Sequence, residues 1–170
     1  EITQSSEGDI QATKTGQVID VKTTASITMA DGALTSSTNG NIRYESVMGN
    51  IVIGEISAGT AEVTLLAAAD ATELGNDLGY IRDTQDNKAV DITAGSLVSK
   101  SFRGMGTADN PLELNVKQID TKSVSSDGAM EFGNAQPLQL GTSEPSEQPQ
   151  TVQYNTPLKI ESTGLSNGQN

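Results

Sequence analysis

The chain has 170 residues, a net charge of −12, 34% hydrophobic residues and only 3% aromatics. So acidic a chain offers no basic patch for nucleic acid or for anionic membrane surfaces, and no window approaches the 18 apolar residues of a membrane span. It contains no His and no Cys, which excludes Ser-His-Asp and Cys-His catalysis, disulfides and the usual zinc sites.

In chain order the signal is short alternation of apolar and polar residues, period two, which sends one set of side chains inward and the other outward. It runs through Ile27-Thr28-Met29, Ile42-Arg43-Tyr44, Val63-Thr64-Leu65 and Val90-Asp91-Ile92. It continues through Leu112-Glu113-Leu114-Asn115-Val116, Met130-Glu131-Phe132, Leu138-Gln139-Leu140 and Leu158-Lys159-Ile160. The one stretch with helical composition, Thr60 to Leu74, reads better as a strand, Glu62 to Leu65, that enters a small-residue turn. Ile51 and Ile92 are expected inward, as are Tyr44 and Phe132, while Glu113 is expected outward.

Two strand entries recur. Gly8-Asp9-Ile10, Gly40-Asn41-Ile42 and Gly49-Asn50-Ile51 share one form, and Gly and Asn suit the left-handed backbone of a sharp corner. Asn110-Pro111-Leu112-Glu113-Leu114, Gln136-Pro137-Leu138-Gln139-Leu140 and Thr156-Pro157-Leu158-Lys159-Ile160 share another, with Pro at the first strand position. Spacings of about 20–26 residues match one solenoid coil. The predicted fold is therefore all-β, a right-handed parallel β-helix (β-solenoid) with short strands. A β-sandwich is the alternative, weakened by the lack of large aromatic core residues.

Residues 1–141 are assigned to the coils, with a loop excursion near 70–88. Thr142 to Gln150, with Pro145 and Pro149, reads as an extended or mobile excursion, and 151–170 as a last partial coil with a loose polar tail. The chain begins at Glu1 without an initiator Met, which reads as a processed chain or a piece of a longer one.

Ala61-Glu62-Val63-Thr64-Leu65-Leu66-Ala67-Ala68, Val90-Asp91-Ile92-Thr93-Ala94-Gly95-Ser96-Leu97 and Gly104-Met105-Gly106-Thr107-Ala108-Asp109-Asn110-Pro111-Leu112-Glu113-Leu114 together resemble filamentous-haemagglutinin-type adhesins, large bacterial exoproteins of two-partner secretion. Met105 stands where those repeats usually carry Ile. The resemblance covers residues 60–120. It implies a right-handed parallel β-helix, an extracellular or cell-surface location, and a structural role in attachment or biofilm formation. The partner it implies is a host surface, a polysaccharide or a neighbouring cell-surface protein, with further coils of the same polypeptide flanking this one. It transfers no ligand-binding residue and no cofactor.

Candidate chemistry is sparse. Asp20, Glu45, Asp91, Glu113 and Glu131 would be the acids of a polysaccharide-cleaving enzyme on the same scaffold, but read more simply as a solvated acidic face. Tyr44, Tyr80, Tyr154, Phe102 and Phe132 are the aromatics available to stack on sugars. Asp70, Glu73, Asn76 and Asp77, with Asp83 and Asp86 nearby, are weak calcium candidates. They lack the spacing of an EF-hand or a calcium β-roll, and a calcium-stabilised module is the third alternative. Ser96-Leu97-Val98-Ser99-Lys100 is the nearest approach to a serine–lysine pair. Gly104-Met105-Gly106 reads as a coil corner, since it lacks the lysine and helix of a phosphate loop.

Overall fold

The structure is a computed structural model that describes residues 1–75, 77–84, 88–125 and 128–136, with the strand backbones at 138–140, 151–152 and 158–161. The fold is a parallel β-solenoid of about six coils, with no helix among the described residues. The first coil runs through β1 (Ile2–Gln4), β2 (Ile10–Ala12) and β3 (Ile19–Thr23). The second holds β4 (Ile27–Met29), β5 (Leu34–Ser37) and β6 (Ile42–Ser46), and the third β7 (Ile51–Ile53), β8 (Glu55–Ser57) and β9 (Glu62–Ala67). The fourth holds β10 (Tyr80–Asp83) and β11 (Ile92–Ser101), the fifth β12 (Gly104–Met105) and β13 (Leu112–Ser123), and the sixth β14 (Ala129–Asn134) and β15 (Leu138–Leu140).

Three parallel sheets form the sides. β11 bends at Gly95 to serve two of them, pairing with β8 through Ile92 and with β9 through Ser96. Because each strand sits in register on the next, like positions stack into inward columns. One column is Ile2, Ile27, Ile51, Ile81, Met105 and Met130. A second is Ile10, Thr35, Ile56, Ile92, Leu114 and Asn134, and a third is Ile19, Ile42, Val63, Leu97 and Ile119. Ile51, Ile56, Ile92, Val63 and Leu97 are fully buried. Burying a side chain of this size contributes about 1.5–3 kcal/mol, so the columns, not any one coil, hold the chain folded. Met105 fits its column as an unbranched filler between Ile81 and Met130. Tyr44 and Phe132 are inward as expected. Tyr44 Oη lies 2.7 Å from Thr35 Oγ1, which donates to Gln4 Oε1 at 3.1 Å, so the buried hydroxyls are paired.

The Gly-Asx-Ile entries work differently from the sequence expectation. Gly40 and Gly49 do not adopt positive φ; the residue that does at the first of these corners is Asn39, at 55°. The glycines are needed because the coil below comes too close. A Cβ on Gly40 would overlap the Gln17 carbonyl, and one on Gly49 would lie 2.5 Å from the Ser26 nitrogen. A serine three residues earlier closes each corner. Ser37 Oγ accepts from Gly40 N and donates to Gln17 O, and Ser46 Oγ accepts from Gly49 N and donates to Ala25 O. Ser101 and Gly104 repeat the contact. The Asx side chain reaches to the next coil and accepts a backbone N–H there: Asp9 from Leu34, Asn41 from Glu62, Asn50 from Tyr80.

Two expectations are corrected. The excursion near 70–88 is not one loop, because β10 lies inside it, paired with β7 below and β12 above. It is two shorter departures, one before Tyr80 and one after Asp83. The segment expected as a last partial coil does not continue the parallel stack: β16 (Thr151–Val152) and β17 (Leu158–Glu161) pair antiparallel on β15 and β14. Residues 142–150, Pro137, Pro157 and Tyr154 lie outside the described residues.

Candidate functional site

The double departure gathers three acids. Asp83 ends β10 at the place where the coil below has the fully buried Ile53, with which it pairs in register. Asp91 immediately precedes Ile92, as Asn41 precedes Ile42 and Asn50 precedes Ile51. Glu113 follows Leu112 one coil above. One oxygen from each carboxylate lies within 4.8 Å of the others.

Asp91 keeps the Asx role of its predecessors: its Oδ2 accepts the Glu113 backbone N–H at 2.8 Å. It differs in charge. Burial pushes its carboxyl up to about 8, and the Asp83 and Glu113 carboxylates and a side-chain hydrogen bond to Glu113 push the same way; the Glu113 N–H opposes them. At neutral pH Asp91 therefore holds a proton beside two further acids. A pocket of about 360 Å³ opens alongside, lined by Lys88, Val90, Glu113, Leu114, Gly133, Asn134 and Ala135. Glu113 reaches it, while Asp83 and Asp91 are not in its lining. Asp91 is only 4% exposed.

This corrects the solvated-face reading of the five acids. Asp91 and Glu131 are buried, and Glu113, outward between the inward Leu112 and Leu114, is nonetheless half-buried. Val90, read as an inward flank of Asp91, is 37% exposed. Asp20 and Glu45 do stand outside, one coil apart on the third sheet, and both pair with Arg43. Lys22 joins them through Glu45 at 2.8 Å. So four of the five split into an outer ion cluster, with Asp20 and Glu45, and an inner acid pair, Asp91 and Glu113, which Asp83 completes. In sequence Asp83 reads only as a calcium candidate in a loop. The signal that finds it is Ile81-Arg82-Asp83, an acid at the second inward position of an alternating strand, where a charge is exceptional.

Among the described residues, the group of three carboxylates at ligand spacing is Asp83, Asp91 and Glu113, not Asp70, Glu73 and Asp77. Asp70 is highly exposed and paired with Lys100 at 2.9 Å. The Asp77 carbonyl accepts from Asn50 Nδ2. Asn76 and Asp86 lie outside the described residues. Calcium takes six to eight oxygens, and in the inner cluster a backbone N–H already occupies one Asp91 oxygen, so the donor set suits a shared proton better than that ion.

The other candidates resolve structurally. Lys100 is engaged with Asp70, and Ser99 is buried with Oγ 2.5 Å from Thr121 Oγ1, so no serine–lysine nucleophile is assembled. Gly104 and Gly106 take φ of 119° and 68° on either side of the inward Met105, a coil corner. Phe102 is buried, and Tyr80 carries the Arg82 guanidinium 3.8 Å from its ring centre. No protein-family model, no curated protein and no solved structure matches this chain.

Proposed function

We propose that the chain is a structural and adhesive rod segment of a large secreted or cell-surface bacterial adhesin, acting in attachment or biofilm formation. The observation that carries this reading is the third sheet. Its stacked strands present outward columns in one register: Asp20, Arg43, Thr64, Val98 and Asp120, beside Lys22, Glu45, Leu66, Lys100 and Lys122. Strand spacing of about 4.8 Å turns these columns into a regular surface of weak polar sites, which binds through multiplicity rather than through one deep pocket. A host surface, a polysaccharide or a neighbouring cell-surface protein is the class of partner such a face suits. Beads displaying many copies should be retained on at least one cell or polysaccharide surface where the single chain is washed away. Equal loss of both from every surface would remove the adhesive reading and leave a spacer.

One observation favours a second reading, a carbohydrate-active enzyme on the same solenoid. The protonated Asp91 beside Glu113, at the edge of a pocket, is an acid–carboxylate pair of the kind glycoside cleavage employs. Against it stands the burial of Asp91 and its commitment to the Glu113 N–H. A turnover screen on acidic and neutral polysaccharides decides: activity abolished by Glu113→Gln favours the enzyme, and no turnover on any of them favours the rod.

A further inference from the structure

We propose that the outer face of the third sheet is a self-association surface, on which two copies of the chain lie side by side and parallel, related by a two-fold axis along the solenoid axis. Each strand of this sheet carries two outward residues on either side of an inward one, which is Val21, Tyr44, Leu65, Ser99 or Thr121. Read along the strands, the outward pairs are Asp20 and Lys22, Arg43 and Glu45, Thr64 and Leu66, Val98 and Lys100, and Asp120 and Lys122. Wherever a pair holds two charges, the signs are opposite. Between the first and second coils the order of the signs also reverses, which lets Lys22 pair with Glu45 and Asp20 with Arg43 inside one chain. These charged side chains are exposed or half-buried.

A two-fold axis laid over the inward column keeps each coil at its own level and reverses the strand direction. The first residue of every outward pair then faces the second residue of the partner's pair. Asp20 faces the partner's Lys22, Arg43 the partner's Glu45, and Asp120 the partner's Lys122. The symmetry makes each contact twice, and no like charges meet head-on. At mid-face Leu66 meets the partner's Thr64. Lys100, whose ammonium is held by Asp70 at 2.9 Å, lays its stem on the partner's Val98. The antiparallel arrangement centred on the third coil instead sets Asp20 against the partner's Asp120 and Lys22 against the partner's Lys122, so the charge order selects parallel rods. Because every coil faces its own copy, the contact closes as a dimer and needs nothing from either end of the chain. Strands about 4.8 Å apart and about 17 Å long, one from each of the first five coils, make a face of roughly 400 Å² per copy, at the weak end of specific interfaces. The pairing uses the face on which the adhesive reading rests, but requires no foreign partner.

The test is sedimentation equilibrium of the 170-residue chain, at concentrations up to about 1 mM, where weak pairing is populated. The net charge of −12 opposes pairing at long range. At ~0.15 M salt the Debye length of about 8 Å screens that repulsion while sparing the contacts. Wild type should show a monomer–dimer equilibrium. Asp20→Lys leaves bases facing bases in the first coil and Lys22→Asp leaves acids facing acids, so each alone should weaken the dimer roughly tenfold or more. Mixed in equal amounts, the two variants should recover it as a heterodimer, because each base then faces an acid. Thermal melts near wild type check that both variants are folded. Thr28→Glu, outward on the first sheet between Ile27 and Met29, should pair as wild type does. A wild-type chain that stays monomeric, or that forms oligomers larger than a dimer, overturns the proposal. So do tighter pairing by Asp20→Lys, which is the antiparallel outcome, a mixture of folded variants without heterodimer, and a loss on Thr28→Glu equal to that on the third sheet. Retention of beads on foreign surfaces is a separate readout, so the adhesive reading can fail while this dimer stands.

Discussion

The third and fourth coils use one geometry with different chemistry. In the third, the inward position that ends β7 is Ile53, and the side chain that crosses from its entry to the next coil is the neutral Asn50. In the fourth, Asp83 stands in register with Ile53, and the side chain that crosses to the next coil, from the entry of β11 rather than of β10, is Asp91. The crossing contact needs only an oxygen that accepts an N–H, and asparagine supplies it with no charge to bury. Buried as Asp91 is, an aspartate supplies the same oxygen but must keep its proton, and two more acids nearby make that more necessary. The lesson is that a solenoid position is defined by its hydrogen bond, and that the charge riding on it is a separate quantity. The departures around β10 are where the chain places that charge.

The largest expected effect comes from putting charge where the third coil has none. Ile51→Asp sets an uncompensated carboxylate in a column fully closed from water, at a cost of about 4 kcal/mol or more, a large share of the stability of an ordinary domain. A thermal melt should show the cooperative transition lost or shifted far down. If Ile51→Asp melts like wild type, Ile51 does not face inward and the register of its whole column is wrong. Next in size is the corner. Gly49→Ala should cost about 2–3 kcal/mol, because the new methyl group meets backbone that cannot swing aside. Gly133→Ala, with nothing within 4 Å of the added Cβ, should be neutral in the same urea titration.

The regular coils were legible from sequence and β10 of the fourth coil was not, for a definite reason. Alternation such as Ile42-Arg43-Tyr44 reports inwardness directly, and Gly-Asx-Ile marks a corner, because both are local. That Gly49 is needed for close approach to Ser26 is a property of the coil below, which no local window contains. The serine that closes each corner was nonetheless readable, since Ser-x-x-Gly stands at Ser37 to Gly40, Ser46 to Gly49 and Ser101 to Gly104. β10 was hidden by composition, four strand residues set among Asp, Asn and Gly. Asp83, Asp91 and Glu113 come from separate segments and meet only through register, so their spacing in sequence carries no sign of the cluster.

Exchanging the crossing residue tests the comparison directly. The folded-state carboxyl of Asp91 stands at about 8, above its ordinary value of 3.8. Below the ordinary value both folded and unfolded chains hold the proton, and the stability contribution is fully present. As pH rises, the unfolded chain releases the proton first, so stability declines, and the decline ends once pH passes through the folded value. Asp91→Asn keeps the acceptor and removes this decline. The variant should be more stable than wild type at pH 7 by roughly 1–3 kcal/mol, with the gap closing toward pH 4. A variant less stable than wild type at pH 7 would mean that the Asp91 proton is itself a structural bond.

The smallest expected effect sits on the outer face, and its smallness is the point. Arg43 touches Asp20 and Glu45, with side-chain exposures of 34%, 57% and 17%. Water screens Arg43 and Asp20. The Glu45 carboxyl is held below its ordinary value chiefly by the Lys22 side-chain hydrogen bond, which survives the loss of Arg43. Arg43→Ala should therefore change stability by no more than about 0.5 kcal/mol in urea titrations at low protein concentration, with little dependence on salt. A loss of several times that size would make the outer column part of what holds the coils together. A loss this small leaves the outer charges available for presentation to a partner, while the inner acids carry the electrostatic cost of the fold.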